Sequence, residues 1–279
     1  MVTTRADYNQ IAVNAAYSVL IELIRVLGEY RENIVLIGGW VPQILFQNKG
    51  EQHTGSIDID LALDHRQITD DGYKGIHDML VDRGYRQGKQ PFIFHRTVEI
   101  EETKVSVQVD LLSGEYEGTG KSHRHQRIQE TRARKVRGCD LAFNKPIEVM
   151  IEGNLPGGAK DSVVIKVASI VSFLIMKAIV LDDRLKEKDA YDIYYCLKQY
   201  SDKLDDLVAE FRPHLKNSLI QEGLRKLAKN FASEKHTGPK FVTAFEEITD
   251  EEDRIQMERD AFERVNYLLQ KLDVVQKIF

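Results

Sequence analysis

Two aspartates separated by a single residue, Asp58 and Asp60, lie in the alternating segment SIDIDLAL at positions 56–63. This alternation predicts a β-strand in which both carboxylates point to one face while the isoleucines and leucine anchor the opposite face. Two neighbouring carboxylates repel each other, and a divalent cation removes that conflict. Mg²⁺ is typically held by one or two carboxylates together with substrate phosphates, and a pair of ions assists an in-line displacement. The segment therefore predicts a site for two magnesium ions.

A glycine pair lies one loop upstream of these aspartates. Gly38 and Gly39 end the apolar segment IVLI, and Pro42 marks the start of a helix-like run after them. Glycine lets the backbone approach a ligand closely, and main-chain N–H groups at such a corner suit phosphates. A glycine pair alone is usually a tight turn, and a lone Asp-x-Asp is usually a solvated strand face. Their combination favours a phosphate cradle facing a metal site. Ser56 either binds phosphate or shapes the turn before the strand.

A third carboxylate falls in the segment KVSVQVDLL, where the valines occupy one face and Ser106, Gln108 and Asp110 the other. If this strand lies beside the strand of Asp58 and Asp60, Asp110 completes the metal site or accepts a proton from an attacking hydroxyl. The alternative is a solvent-facing aspartate at a strand end.

The chain changes character along its length. Strand patterns at 33–38, 56–63, 91–100, 104–113, 147–151 and 162–167 are interleaved with helical patterns at 9–28 and 68–85. From Ala168 onward the pattern is helical, with segments at 168–181, 188–199, 203–211, 215–232 and 251–275. We therefore expect an α/β (α+β) protein with a mixed β-sheet in residues 1–167 and a helical domain in residues 168–279.

Composition limits the class of protein. Apolar residues make up 42% of the chain, which supplies a core, and charged residues make up 30%, which is typical of soluble proteins. The two cysteines, Cys139 and Cys196, lack the spacing of a zinc site or a disulfide framework. No apolar run reaches the roughly 18 residues that a membrane span needs. We expect a cytoplasmic protein with no membrane association.

The glycine pair, the Asp-x-Asp strand and the later V-x-V-D strand together resemble the nucleotidyltransferase superfamily, which has the DNA polymerase β-like fold. The resemblance implies that residues 1–167 are a catalytic head, that the turn at Gly38 and Gly39 holds a triphosphate, and that three acids bind two Mg²⁺. These metal ligands would be Asp58, Asp60 and Asp110. Trp40, which follows the glycines, either lines the nucleotide pocket or packs in the core, and the core is favoured.

A second motif lies in residues 167–200, where Lys177 is embedded in an apolar segment and is followed by a crowded set of charges. This spacing of lysine, arginine and aspartate resembles the AbiEii/AbiGii abortive-infection toxin family, to which MenT-type toxins are related. The resemblance implies that Lys177 contacts nucleotide phosphates and that Asp189 is an essential later acid. Arg184, Lys188 and Asp192 would support the pocket. The alternatives are a lysine that extends to the surface and aspartates that stabilise a helix N-terminus.

The stretch 121–138 is strongly basic on a chain whose net charge is −5. Such a cluster suits an RNA backbone or a triphosphate, and a solvated loop or helix face is the competing interpretation. Zinc is not expected at His123 and His125, because no further cysteine or histidine lies nearby.

The function expected from these features is transfer of a nucleoside monophosphate from an NTP to an acceptor hydroxyl. The resemblance implies a toxin of a toxin–antitoxin or abortive-infection system that acts on tRNA and has a cognate antitoxin. Two alternatives remain open: an aminoglycoside-type nucleotidyltransferase that modifies a small molecule, and a non-catalytic nucleotide-binding module.

Overall fold

A computed structural model describes residues 4–100, 102–114, 133–200 and 203–274. These residues form two compact units. The sheet unit comprises the described parts of Asn9–Leu45 and Gly55–Ser169. The helical unit comprises the described parts of Met1–Tyr8, Phe46–Thr54 and Ile170–Phe279. The assignment of domains to residues 1–167 and 168–279 stays a prediction.

The sheet unit is built on one mixed β-sheet. Its strands are β1 (Ile34–Ile37), β2 (Asp58–Leu63), β3 (Arg86–Gln87), β4 (Ile93–Ile100), β5 (Thr103–Ser113), β6 (Arg134–Lys135), β7 (Ile147–Asn154) and β8 (Lys160–Val167). The order across the sheet is β3-β4-β5-β2-β1-β8-β7, and β6 pairs with the end of β5. Strand β2 runs parallel to β5 and antiparallel to β1. The three strands expected to carry the chemistry are therefore adjacent at the centre of the sheet.

Among the described residues, the sheet unit has three α-helices: α1 (Gln10–Val26), α2 (Trp40–Leu45) and α3 (Asp70–Asp82). Asn9 caps α1, since its side chain accepts a hydrogen bond from the backbone N–H of Ala12. Helix α1 packs on strands β4, β5, β7 and β8. Ile59 and Leu61 of β2 are fully buried, as expected for the core face of an alternating strand. Asp58 and Asp60, which alternate with them, are left on the opposite face.

The helical unit contains the remaining helices of the described residues. They are α4 (Ile170–Arg184), α5 (Glu187–Gln199), α6 (Leu204–Phe211), α7 (Ser218–Asn230), α8 (Thr237–Phe245) and α9 (Glu251–Lys271). Helix α4 packs on α5 and α7, and α8 packs on α5 and α9. The core of this unit is strongly aromatic, and Phe173, Tyr195, Phe211, Phe231 and Phe245 are almost fully buried within it.

The predicted fold class, a mixed sheet followed by helices, is confirmed. Helix α8 was not predicted, because its sequence TGPKFVTAF carries glycine and proline in the first turn and has the composition of a turn. The hairpin of β7 and β8 extends further than predicted, up to the turn at residues 155–159. Within the described residues, the helices are too short or too polar to cross a membrane.

Candidate active site

Strands β2 and β5 bring the three predicted acids of the sheet unit to one face. Asp60 is the direct cross-strand partner of Asp110, and Asp58 is the partner of Gln108. Cross-strand partners point to the same side of a sheet, so Asp58, Asp60 and Asp110 share the face opposite to α1. The predicted proximity of the two acid-bearing strands is thus confirmed.

Hydrogen bonds fix two of these carboxylates. The Ser56 hydroxyl donates to Oδ1 of Asp58 at 2.5 Å, and the Gln108 side-chain amide donates to Oδ1 of Asp110 at 2.9 Å. Burial raises the pKa of Asp110, and the negative charge of Asp58 raises it further. Gln108, Arg134 and His95 lie close enough to oppose this rise. A carboxylate with a raised pKa is a stronger proton acceptor.

The glycine corner lies directly against the acids. Gly38 has φ of +73°, and a Cβ added to it would lie 2.0 Å from Oδ2 of Asp60. A Cβ on Gly39 would lie 2.7 Å from the Ser56 hydroxyl. Gly38 is therefore required by the close approach of the corner to the carboxylate strand, and Gly39 packs tightly against Ser56, besides any approach to a ligand. Any group held by the main chain of this corner would be adjacent to Asp60.

Trp40 is fully buried, as the favoured interpretation expected. Its indole N–H donates to the backbone carbonyl of Asp58 at 2.8 Å, and its ring lies 5.4 Å from that of Tyr17. The tryptophan that follows the glycines therefore fastens α2 to the start of the acid-bearing strand.

The acids of the sheet unit fit a magnesium site, because carboxylate oxygens are the ligands that Mg²⁺ prefers and the three acids share one face of the sheet. Among the described residues, no three His, Cys, Asp or Glu side chains are grouped so that they alone would hold a metal ion. Mg²⁺ does not need such a group, because it is usually held by one or two carboxylates with substrate phosphates and water completing the octahedron. Asp58 and Asp60 supply the carboxylates, and the adjacent glycine corner is placed where phosphates would supply the remaining oxygens.

The other predicted residues form a buried ionic cluster in the helical unit. The Lys177 amino group lies 2.8 Å from Asp189 and 2.8 Å from Asp192. Arg184 donates to both oxygens of Asp189 at 2.8 and 2.9 Å, and Lys188 pairs with Asp192 at 2.5 Å. Asp189 and Asp192 are fully buried, whereas the Arg184 side chain is 49% exposed. Of the three cations, Arg184 is the most accessible to solvent.

Charge pairing outweighs burial for the central groups of this cluster. Burial alone would lower the pKa of the Lys177 amino group, but Asp189 and Asp192 raise it above its usual value. Burial alone would raise the pKa of Asp192, but Lys177 and Lys188 lower it. Asp192 and Lys177 are therefore both charged in the interior, which is stable only while both partners are present.

His53 belongs to the same cluster and was missed by the sequence reasoning. Its Nε2 lies 2.9 Å from Oδ1 of Asp192, and its ring stacks on Tyr191 with centroids 5.5 Å apart. Burial, together with the nearby Lys188, lowers the pKa of His53 to about 4. The ring is thus neutral at physiological pH, with its proton on Nε2 donating to Asp192. The sequence of the segment 47–54 gives no indication that His53 pairs with Asp192, which lies 139 residues further along the chain.

Most of the basic stretch 121–138 falls outside the described residues, including its two histidines. Arg134 and Lys135 are described. They form the short strand β6 and are exposed. Arg134 pairs with Leu112 of β5. Leu112 is two residues after Asp110 and so points to the same face, which places Arg134 on the face that carries the acids.

Comparison with known families decides where the chain belongs. The model of the nucleotidyl transferase AbiEii toxin family, type IV toxin–antitoxin system, matches residues 24–267. The chain is a member of this family. Searches among curated proteins and among solved structures gave no significant match. The match includes the acids, the glycine corner and the ionic cluster, and it continues beyond residue 200, where the sequence motifs end.

For this AbiEii-family chain, replacing Gly38 with alanine is expected to destabilise the fold by about 1–3 kcal/mol and to abolish nucleotide transfer. The new Cβ would collide with the Asp60 carboxylate, and φ of +73° is strained for any residue with a side chain. Chemical denaturation and a transfer assay measure the two effects. Gly28→Ala is the matched control, because a Cβ there meets nothing within 4 Å. Equal behaviour of the two variants would refute the tight approach.

Lowering the pH from about 6.5 to about 4 is expected to reduce the stability of this AbiEii-family chain through His53. The unfolded histidine takes up a proton near pH 6.5, whereas the folded one resists until about pH 4. The unfolded state therefore binds more protons in this window, and stability falls with the pH by at most about 3 kcal/mol. Denaturation midpoints across the window measure it. His53→Gln keeps a donor to Asp192 and should flatten the slope; an unchanged slope would show that His53 does not titrate this way.

Proposed function

We propose that this protein is a magnesium-dependent nucleotidyltransferase that moves a nucleoside monophosphate from an NTP to an acceptor hydroxyl and releases pyrophosphate. The observation that supports it most is the pairing of Asp60 with Asp110 on one face of the sheet, with Gly38 against Asp60. The family supplies the class of reaction, since its members are described as nucleotidyl transferase toxins.

Asp58 and Asp60 would hold two magnesium ions, and Asp110 would share one of them. Bound there, magnesium would neutralise phosphate charge and stabilise the attacking and leaving oxygens of the displacement. The Ser56 hydroxyl, which donates to Asp58, keeps that carboxylate turned toward the strand face.

The chain's own groups would bind the NTP and move one proton. Main-chain N–H groups at Gly38 and Gly39 would bind the triphosphate, as anion-binding corners do. The acceptor oxygen forms a bond to the α-phosphorus while the bond to the bridging oxygen of pyrophosphate breaks. The proton of the acceptor hydroxyl passes to Asp110, which lies on the same strand face as Asp58 and Asp60.

For the helical unit we propose that Lys177, Arg184 and Lys188 balance phosphate charge and that Asp189 is the acid that positions Lys177 and Arg184. Asp189 accepts hydrogen bonds from both Lys177 and Arg184, so its loss would weaken the positioning of both cations. Arg184 is the cation with an exposed surface for a phosphate, and Lys177 and Lys188 contribute from the interior.

We further propose that the acceptor is tRNA, at its 3′ end, and that the protein is the toxin of a pair with a cognate antitoxin. Membership of a type IV toxin–antitoxin family supports the pair. The acceptor is the part of the proposal that the geometry of the acids leaves open, because any hydroxyl in line with the leaving pyrophosphate would react.

The test is incubation of the purified protein with each α-labelled NTP, Mg²⁺ and total RNA, followed by separation of the RNA by size. Label in the tRNA band, dependent on Mg²⁺ and on the 3′-terminal hydroxyl, is the expected result. Label in a small hydroxyl compound with unlabelled RNA would show that the acceptor is a small molecule and not tRNA. Absence of label in RNA, protein and small molecules with all four NTPs would refute the proposed reaction.

A further inference from the structure

A row of polar side chains leads away from the acids across the sheet. Asp58 of β2 is the partner of Gln108 in β5, Gln108 is the partner of His95 in β4, and His95 is the partner of Arg86 in β3. Partners share a face, so all four side chains lie on the face of the carboxylates. Three strand spacings of about 4.8 Å give the row a length of about 14 Å.

Solvent reaches this part of the sheet. Gln108 and His95 are half-buried and Arg86 is exposed, whereas Phe94 and Val109, on the opposite face, are fully buried. The adjoining pair on the polar face, Thr97 and Ser106, is also exposed. Strands β3 to β5 thus have one apolar core face and one face of hydrogen-bonding groups.

The position of this row relative to the glycine corner is set by the strand order. The corner follows β1, on one side of β2, whereas β5, β4 and β3 extend on the other side. In a nucleotidyl transfer the attacking and leaving oxygens are roughly in line across the phosphorus. If pyrophosphate leaves toward the corner, the acceptor hydroxyl must arrive from the side of β5.

Charge identifies the kind of acceptor that this row suits. Arg86 is exposed at the far end of the row, and exposed Arg134 lies on the same face beside the end of β5. Arg134 and His95 both lie near enough to Asp110 to influence its carboxylate. A short acceptor needs contacts only beside Asp110, but basic groups on two sides of it suit a chain of phosphates.

We propose that Gln108, His95 and Arg86, together with Arg134, form the binding surface for the sugar–phosphate backbone of an RNA acceptor. The inference rests on the proposed nucleotidyl transfer, and it assigns the acceptor to the β5–β4–β3 side of the acids. Arg86 and Arg134 contact phosphates, and Gln108 and His95 hydrogen-bond the backbone next to the reacting hydroxyl. None of the four binds the NTP.

The test measures RNA binding apart from chemistry. The full-length protein is titrated into 5′-labelled unfractionated tRNA without NTP or metal, at several salt concentrations, and binding is followed by fluorescence anisotropy. Arg86→Ala is expected to weaken binding about tenfold. It should also make the slope of log affinity against log salt shallower by about 0.7–1. In the transfer assay it should raise the KM for tRNA and leave the KM for the NTP unchanged.

Arg31→Ala is the matched control, because it removes the same charge from an exposed arginine next to β1, away from β3. It should bind tRNA as the wild type does. The double variant R86A/H95A should weaken binding further. R86E, which reverses the charge at this exposed position, provides a second charge change if the double variant unfolds. Wild-type affinity and salt slope in R86A and R86E, or an equal loss in R31A, would overturn the inference.

The two proposals fail in different ways. A protein that transfers nucleotide but binds no tRNA overturns the acceptor surface and leaves nucleotidyl transfer standing. A protein that binds tRNA through Arg86 but transfers no nucleotide supports the surface and removes the proposed reaction.

Discussion

Replacing Asp60 with asparagine is expected to lower the rate of nucleotide transfer by a factor of about 10²–10³ or more while leaving the protein folded. Asp60 is the central acid of the site: Asp58 precedes it by two residues on the same strand face, Asp110 is its cross-strand partner, and Gly38 lies against its carboxylate. Asparagine has the same shape but no charge, so it is a poor ligand for a hard divalent cation. The rate of label transfer from an α-labelled NTP at saturating Mg²⁺ measures the effect.

Stability separates a catalytic role of Asp60 from a structural one. Removing one of several like charges relieves repulsion, so the unfolding midpoint of Asp60→Asn should equal or exceed that of the wild type. Asp71→Asn, at an exposed position in the first turn of α3, loses the same charge and should transfer at the wild-type rate. A normal transfer rate in the Asp60→Asn protein would show that this carboxylate is not needed for the reaction. An Asp60→Asn protein that unfolds would show that the carboxylate supports the fold instead.

The sheet side of the site could be predicted because it depends on short-range rules. Alternation places Asp58 and Asp60 on one face of β2, and the same rule places Asp110 on the polar face of β5. Only one further assumption, that β2 and β5 pair, was needed to predict that the three acids share a face. The glycine pair was assigned to ligand approach, whereas the structure shows that Gly38 is first required by the carboxylate of Asp60. That contact is between segments 22 residues apart, and nothing in either segment encodes its distance.

The helical side was less predictable because its contacts are long-range and ionic. The position of Lys177 in an apolar helix indicated either an anion or an extension to the surface, and the structure shows two anions, Asp189 and Asp192. These aspartates were also consistent with stabilising the N-terminus of a helix, and Asp189 does lie in the first turn of α5. His53 had no local signal at all. Family membership extends to residue 267, yet the role of each charge comes only from its contacts.

The buried ionic cluster of the helical unit predicts a large loss of stability when one of its carboxylates is removed. Replacing Asp192 with asparagine should lower the free energy of unfolding by about 3–5 kcal/mol. Asp192 is fully buried. Its carboxylate forms ion pairs with Lys177 and Lys188 and a hydrogen bond with the ring of His53. Asparagine keeps the volume but leaves Lys188, which is also buried, without its carboxylate partner in the interior. Urea denaturation at neutral pH, analysed by linear extrapolation, measures the change.

Two further variants identify the cause of that loss. Asp183→Asn, whose side chain is 57% exposed and pairs with Lys226, should change the stability by less than about 1 kcal/mol. Lys188→Met combined with Asp192→Asn should recover part of the loss, because the uncompensated buried cation is then gone. A double variant as unstable as Asp192→Asn alone would place the cost on His53 and Lys177 instead. Full stability in Asp192→Asn, accompanied by loss of transfer, would show that this carboxylate acts on the nucleotide and is not needed to stabilise the helices.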